Sequence, residues 1–254
     1  MKQMGLVTSM LTAGLILGVP LLRDTSADSK VKTPTPVNTV QAAKRQTDAP
    51  PFPLFIPPQV GRPTTRLVGG GSRGTESIIE LSALTPEQAG LTVQEQPSLF
   101  WYLSETTTYD LELIVSVDRA PQPLLVTRLR PPARPGIQRV RLTDYHVRLE
   151  PGVTYRWFVA LIPDLEHRSK DIIAGGGVER IPLSDALRTR LGQAEAERAP
   201  HLYAEAGLWY DALATLSDLI EAAPADLELR QQRAALLKQV GLETVAAYDV
   251  AHRQ

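Results

Sequence analysis

The sequence predicts a fold in two parts, a β-sandwich followed by a segment of paired α-helices, which is an all-β plus α class. The first observation is the segment Tyr155–Ile162, which has apolar residues at both odd and even positions and lies between Pro151-Gly152 and Pro163. This pattern is typical of a strand buried on both faces. The second is a series of short strand-like segments separated by Pro/Gly turns. The third is a change to helical periodicity after Pro182.

The composition limits the chemistry that the chain can carry. The 254 residues include 27 basic and 28 acidic side chains, so net charge indicates no nucleic-acid partner. A hydrophobic content of 43% is sufficient for a substantial core. Cysteine is absent from the sequence, which excludes disulfides, thiolate metal sites, cysteine nucleophiles and the acylated cysteine of a lipoprotein.

The N-terminus has the pattern of an export signal. Lys2 precedes an apolar run from Met4 to Leu22, and the small residues Thr25-Ser26-Ala27 follow. Residues 1–27 are therefore predicted to be a cleaved signal peptide, which places the protein in the periplasm or outside the cell, without a membrane span after cleavage. An uncleaved membrane anchor is the alternative, because the run approaches the length of a span.

Residues 28–75 are predicted to be a Pro-rich disordered linker ending in a Gly-rich turn. Its apolar group at Phe52–Pro58 is expected to dock within the chain, onto the first domain, rather than in the groove of a partner. The stretch Gly69–Gly74 contains G-x-G-x-x-G, but a dinucleotide site needs a buried strand before it and a helix after it. No cofactor is predicted.

Residues 76–183 form the predicted sandwich. Thr85–Gly90 has the residues of a capped helical turn. The strand candidates are Leu91–Glu95, Ser98–Leu103, Tyr109–Val117, Leu124–Arg130, Ile137–Leu142, Tyr155–Ile162 and Gly177–Leu183. Tyr109–Val117 alternates apolar and polar residues, as a half-buried strand does. Short strands with turns and no intervening helices indicate a fibronectin- or immunoglobulin-like sandwich of about 100 residues.

Residues 184–254 are predicted to be helical. Ser184 is suited to cap a helix whose apolar stripe is Leu187, Leu191 and Ala194. The sequence pattern of Gly207–Leu213 recurs at Gly241–Ala247, 34 residues later. That spacing is the tetratricopeptide period, with glycine at the turn and alanine where the helices cross. A tetratricopeptide-like helix pair is predicted, and a generic helical hairpin is the alternative.

The order of several short motifs also resembles a known family. The motifs are Gly69–Gly74, Leu84–Pro86, Gly90–Thr92, Pro97–Tyr102, Tyr155–Trp157, Glu179–Ile181 and Trp209–Leu213. Together they resemble a bacterial, largely cyanobacterial, domain-of-unknown-function family numbered nine-two-eight, over about Pro57 to the C-terminus. The resemblance implies an exported protein and carries no known activity or catalytic residue.

An excess of arginine marks the region between Arg119 and Arg148. Arg128 and Arg130 lie two residues apart in their predicted strand, so their side chains point to the same face. The same holds for Arg139 and Arg141 in the next strand. If the two strands pair as a hairpin, four guanidinium groups lie on one face. Either this face is a solvated edge protected by charge or it binds an anion or a partner. Residues 185–228 are mainly acidic, so the two parts of the chain either face one another or recruit oppositely charged partners.

The residues that could carry catalysis or metal binding form no recognised motif. The four histidines lack metal-type spacing, and no nucleophile motif is present. The acidic residues of the loop 164–171 leave calcium binding open, but a solvated loop is favoured. Three tryptophans are expected in the core rather than in a sugar cleft; they are Trp101, Trp157 and Trp209. No catalytic residue or metal site is predicted.

The expected function is an exported, non-enzymatic protein–protein interaction module of the cell envelope, with an envelope protein as partner. The alternative is binding of an acidic glycan or lipid headgroup through the arginine-rich hairpin formed by Arg128, Arg130, Arg139 and Arg141. A hydrolase ranks third, because no nucleophile–base pair can be proposed from the sequence.

Overall fold

The computed structural model describes residues 52–58, 66–69 and 79–252, which belong to one compact unit. The predicted signal peptide and most of the predicted linker lie outside the described residues. Strands come first along the chain and helices follow, so the fold is of the α+β class. The strands are β1 (Val68–Gly69), β2 (Leu81–Ala83), β3 (Gly90–Thr92), β4 (Ser98–Leu103), β5 (Asp110–Val117), β6 (Leu125–Leu129), β7 (Gly136–Arg141), β8 (Thr154–Ile162) and β9 (Ile172–Arg180).

The larger sheet has five strands in the order β3-β9-β8-β5-β6. β8 is its central strand and runs antiparallel to both β5 and β9, whereas β3 runs parallel to β9. The prediction that this strand is buried on both faces holds in part. Toward the smaller sheet its residues Tyr155, Trp157, Val159 and Leu161 are buried, whereas on the opposite face Ala160 and Ile162 are buried but Phe158 is only partly buried. The alternation in β5 is also confirmed, because Leu111, Leu113 and Val115 are fully buried and their neighbours are only partly buried.

The smaller sheet has four strands in the order β1-β2-β4-β7. Every residue of β4 is buried. The side chains of Leu99, Trp101 and Leu103 point toward the larger sheet, and those of Phe100 and Tyr102 point the opposite way, because successive strand residues face opposite sides. The smaller sheet therefore has an apolar layer on each side.

Two sequence predictions in this region are wrong. Thr85–Gly90 forms bends and the start of β3 rather than a helical turn. The last strand begins at Ile172, five residues before the predicted Gly177. The run of glycines in this strand is a sequence pattern typical of turns, but here glycine allows close packing. A Cβ on Gly176 would lie 2.2 Å from Cγ2 of Thr85.

Five α-helices follow the strands. They are α1 (Asp185–Gln193), α2 (Ala199–Glu205), α3 (Trp209–Ala222), α4 (Leu227–Lys238) and α5 (Glu243–Ala251). Short 3-10 helices lie at Leu142–Tyr145, Arg168–Lys170 and Ala196–Arg198. The predicted cap of α1 is confirmed, because Oγ of Ser184 accepts a hydrogen bond of 3.3 Å from the Leu187 amide.

The sequence pattern that recurs after 34 residues corresponds to two equivalent helix–helix turns. Gly207 joins α2 to α3 and Gly241 joins α4 to α5, with φ angles of +74° and +73°. A positive φ of this size favours glycine over other residues. The amide after each glycine bonds to the carbonyl five residues earlier, Leu208 to Tyr203 and Leu242 to Leu237. The two turns therefore have the same geometry as well as the same sequence pattern.

The helices cover the face of the smaller sheet that points away from the larger one. Tyr248 of α5 packs edge-on against Tyr102 of β4, with ring centroids 5.2 Å apart. Residues of both sheets and of α2 to α5 share one hydrophobic core. α1 packs beside this core, in a small cluster with α2 and β3.

The apolar group of the linker also docks within the chain, as expected, but against the helices. The ring of Phe55 packs edge-on against Trp209, with centroids 5.1 Å apart. The Phe55 amide donates to Oε1 of Gln239 at 2.9 Å, and the Ile56 amide donates to the Ala204 carbonyl at 3.1 Å. The segment 52–58 thus contacts both helical hairpins.

Candidate functional site

The structure divides the four arginines of the predicted site between two sheets. β6, which carries Arg128, pairs with β5 in the larger sheet, and β7, which carries Arg139 and Arg141, pairs with β4 in the smaller one. The predicted hairpin pairing is therefore wrong. Its physical cause is the connection from Arg130 to Gly136, which crosses from one sheet to the other rather than turning back on the same sheet.

Arg139 lies at the contact between the smaller sheet and the helices. Only 14% of its side chain is exposed. Its Nε donates to Oγ of Ser98 at 2.9 Å, and its guanidinium carbon lies 5.4 Å from the ring centroid of Phe100. Its Nη1 forms an ion pair with Asp218 and lies 3.5 Å from Oε1 of Glu221. These contacts hold α3 against β4 and β7.

Arg141 adds a second pair to the same contact, because its Nη2 lies 3.4 Å from Oε2 of Glu221. The expectation that the arginine-rich and acidic parts of the chain face one another is thus confirmed at β7 and α3. Exposed pairs of this kind contribute little stability each.

Arg128 and Arg130 lie elsewhere, at the free edge of the larger sheet, and both are exposed. Nη1 of Arg128 lies 3.8 Å from Oδ2 of Asp110, with 70% of the arginine side chain exposed. A separation of that size in water is a weak interaction. These two residues therefore belong to the outer face of the larger sheet and not to the helix contact.

That outer face carries an apolar patch, here called the open face. Its residues are Leu67, Ile114, Leu124, Val126, Phe158 and Ile173. The strand register places Val126, Ile114 and Phe158 side by side across three strands, opposite Gly175 and then Leu67. Gly175 leaves room for the Phe158 ring, since a Cβ there would lie 2.4 Å from Cδ1 of Phe158.

The open face is accessible to a partner. Leu124, Val126, Leu67 and Ile173 are 52%, 51%, 43% and 41% exposed. Large side chains that are exposed together on one sheet mark an interaction surface more often than isolated ones do. β6 is also an edge strand, because it pairs with β5 alone among the described strands.

Ion pairs border the open face and leave it close to neutral. Arg168 Nη2 lies 3.0 Å from Glu112 Oε1, and Arg156 Nε lies 3.7 Å from Asp118 Oδ1. Arg128 and Asp110 form a further, weaker pair on this face. An apolar centre with a polar, charge-paired rim is the usual anatomy of a protein–protein interface.

A second candidate is a cavity of about 150 Å³ between the smaller sheet, α3 and α4. Three arginines line it: Arg139 from β7, and Arg230 and Arg233 from α4. Arg233 makes a bidentate pair with Asp249 of α5, at 2.8 Å and 2.6 Å. Arg230 has no comparable partner, since its Nη1 lies 3.8 Å from the same carboxylate.

Sequence reasoning did not identify this arginine pair. Arg230 and Arg233 are three residues apart, and Arg233 precedes Leu237 by four, so all three share one helical stripe. Charged residues on an otherwise apolar stripe are the signal that could have found them. Their acidic partner, Asp249, comes from the next helix and could not be assigned from spacing.

The three tryptophans belong to the core, as predicted, with exposures of 2% or less. Trp157 donates through Nε1 to the hydroxyl of Tyr210 at 2.9 Å, and that hydroxyl donates to the Gly177 carbonyl at 2.8 Å. Burial raises the pKa of Tyr210 to about 12. Trp209 donates to the Leu84 carbonyl at 2.9 Å. These indole groups hold α3 on the strands.

Asp211 is the acidic group with the clearest upward pKa shift among the described residues. It is 2% exposed, and burial raises its pKa to about 6. Its Oδ2 accepts a hydrogen bond of 3.1 Å from the Val93 amide, next to β3. Shifted carboxyl groups often mark active sites, but this one ties α3 to the end of β3 and does not line the cavity described above.

In the acidic loop 164–171, Asp164 is paired with basic residues of the same loop. Asp164 accepts from Lys170 at 2.9 Å and contacts Nδ1 of His167 at 2.7 Å. These hydrogen bonds, led by Lys170, lower the pKa of Asp164. Within the described ranges, no cluster of three or more histidine or acidic residues has a geometry that could hold a metal ion.

Among the residues that the structure describes, no helix is both long and apolar enough to cross a membrane. A comparison with family models matches residues 68–250 to a family described as Domain of Unknown Function (DUF928). The match covers both sheets and nearly all of the helical segment. A comparison with curated proteins found no match.

Proposed function

The chain belongs to the DUF928 family, and from that premise we propose that it is an exported, non-enzymatic protein–protein interaction module of the cell envelope. Export is supported by Lys2, the apolar run after it and the small residues ending at Ala27. The partner is proposed to be another envelope protein.

The observation that carries this proposal is the open face. It presents neighbouring apolar side chains on a rigid sheet, where the register rather than a loop fixes their positions. Binding surfaces built on sheets need little reorganisation, so less ordering entropy is lost on association. The charge-paired rim, including Glu112 with Arg168, gives a partner polar groups with which to align.

The proposal also assigns two known architectures within the α+β fold. Two facing sheets of short strands support a fibronectin- or immunoglobulin-like sandwich. The matched turns at Gly207 and Gly241, and the full burial of Ala212 and Ala246, support a tetratricopeptide-like pair of hairpins. Both architectures commonly present surfaces for other proteins.

The acidic-ligand alternative loses its main support. It required Arg128, Arg130, Arg139 and Arg141 on one face, and the sheets separate the first two from the last two. Arg139 and Arg141 are also paired with carboxylates of α3. An acidic glycan or lipid would have to displace these pairs before it could bind.

Site-specific crosslinking tests the proposed function. A photoreactive phenylalanine analogue is introduced in the native host at Val126 or Ile173, in the open face, and at Leu227 as a control on the helical side. Leu227 is 43% exposed, comparable to the other two. We expect covalent adducts with one envelope protein from Val126 and Ile173 and none from Leu227.

A matched variant makes this experiment decisive. With the crosslinker at Leu124, the additional changes Val126→Glu and Ile173→Glu place charge in the open face and should abolish the adduct. Both positions are exposed, so these changes should leave the thermal melt close to that of the parent protein. Adducts that persist, or that arise equally from Leu227, would contradict the proposal.

A further inference from the structure

We propose that the cavity between the smaller sheet, α3 and α4 is a binding site for a small oxyanion, held chiefly by Arg230 with Arg139 and Arg233. The site is distinct from the open face and does not depend on the proposed function. It is also distinct from the hairpin predicted from sequence, although Arg139 belongs to both sets of residues.

The first argument is the unbalanced charge of the buried cluster. Arg230, Arg233 and Asp249 are 3%, 7% and 3% exposed at their side chains. Both oxygens of Asp249 are engaged by Arg233. One cation is therefore buried without a carboxylate of its own, which is costly in the folded protein.

The second argument is the incomplete hydrogen bonding of Arg230. Its Nε is buried without a hydrogen-bond partner among the described residues. Its Nη2 lies 3.5 Å from the Pro224 carbonyl, at the limit of a hydrogen bond. A guanidinium group has five N–H donors and accepts none, so a bound oxyanion would satisfy several of them at once.

The third argument is the shape and chemistry of the cavity. Its volume of about 150 Å³ corresponds to several water molecules, enough for one phosphate or sulfate group. Phe100 and Ile220 form apolar walls, which strengthen electrostatic attraction inside. Glu221 also lines the cavity, but its carboxylate is directed to Arg139 and Arg141.

The test uses the full mature protein and inorganic phosphate as the probe. Thermal melts are recorded in increasing phosphate at constant ionic strength, with sodium chloride as the balancing salt. We expect the melting temperature to rise with phosphate, because a ligand that binds only the folded state stabilises it. Sulfate should act in the same way, and acetate less strongly because it offers fewer oxygens. A melting temperature unaffected by phosphate and sulfate would overturn the proposal.

Variants locate the site. Arg230→Met should remove the phosphate-dependent rise, whereas Arg128→Met, at an exposed arginine on the open face, should retain it in full. If Arg230→Met fails to fold, Arg230→Lys is compared by calorimetric titration, and we expect about tenfold weaker phosphate binding because lysine lacks the planar fork. Phosphate binding of unchanged strength in both Arg230 variants, or in whichever of them folds, would overturn the assignment.

Discussion

At the scale of the residue, α3 is fixed to the strands by polar groups that the core encloses. The hydroxyl of Tyr210 joins Trp157 of β8 to the Gly177 carbonyl of β9. Asp211, the next residue, reaches the amide of Val93. The sequence predicted that the aromatic group around Trp209 is buried, but it could not indicate these partners, which come from strands more than thirty residues away.

Asp211 should make stability depend on pH. Its pKa is raised to about 6 in the folded protein by burial, from 3.8 in the unfolded chain. Between these values the folded state holds a proton that the unfolded state has lost, so stability falls as pH rises from about 4 to about 6. Asp211→Asn removes this titration and keeps an acceptor for the Val93 amide.

We therefore expect the Asn variant to gain stability relative to the parent protein as pH rises from 4.5 to 7.5. The relative gain should be on the order of 1–3 kcal/mol, measured by urea unfolding at each pH. Asp144→Asn, at an exposed position, is the control and should show no such trend. Parallel pH curves for the parent protein and the Asp211 variant would refute this role of burial.

At the scale of the element, local pattern predicted most strands and the helical segment. The alternation in β5 follows from the packing of one of its faces on the smaller sheet, and the same face of β8 is fully buried, whereas Phe158 on the opposite face of β8 is only partly buried. Local sequence could not show whether β6 pairs with β7, because a Pro-rich connection fits both a hairpin and a crossing between sheets. The four arginines were placed on one hairpin face for that reason.

Helix packing at the repeat gives a prediction at this scale. Ala212 is fully buried in α3, and its equivalent in α5, Ala246, is fully buried as well. Ala212→Trp should overpack the contact and destabilise the protein by about 1–3 kcal/mol. Ala214 is only partly buried, so Ala214→Gln should have a smaller effect.

Chemical unfolding of both variants measures the difference. A substantial loss at Ala212 with a small one at Ala214 would support close helix packing at the repeat. Small and equal effects at the two positions would argue against the tetratricopeptide-like interpretation.

At the scale of the whole molecule, the two sheets and the helices form successive layers. The smaller sheet is covered on one side by the larger sheet and on the other by the helices, through contacts such as Tyr102 with Tyr248. Two helical hairpins are fewer than the three repeats that such arrays generally need. The sheet supplies the missing neighbour, and the segment around Phe55 adds to it.

This layering has a consequence for function. The helices pack against the smaller sheet, so the apolar side chains of α3 and α5 in that contact are buried. The open face of the larger sheet, with Val126 and Ile173 exposed at 51% and 41%, lies away from this contact and is the surface that we propose for binding. The central claim is therefore that the helical segment is completed within the chain.

Thermal melts of two fragments, followed by circular dichroism, test this claim most directly. A fragment of residues 52–254 contains both sheets, the helices and the docked segment, and we expect it to melt in one cooperative transition. A fragment of residues 184–254 lacks the strands whose residues, among them Tyr102 and Trp157, bury the faces of α3 and α5. We expect this fragment to show no cooperative transition. A cooperative melt of the isolated 184–254 fragment would contradict the claim.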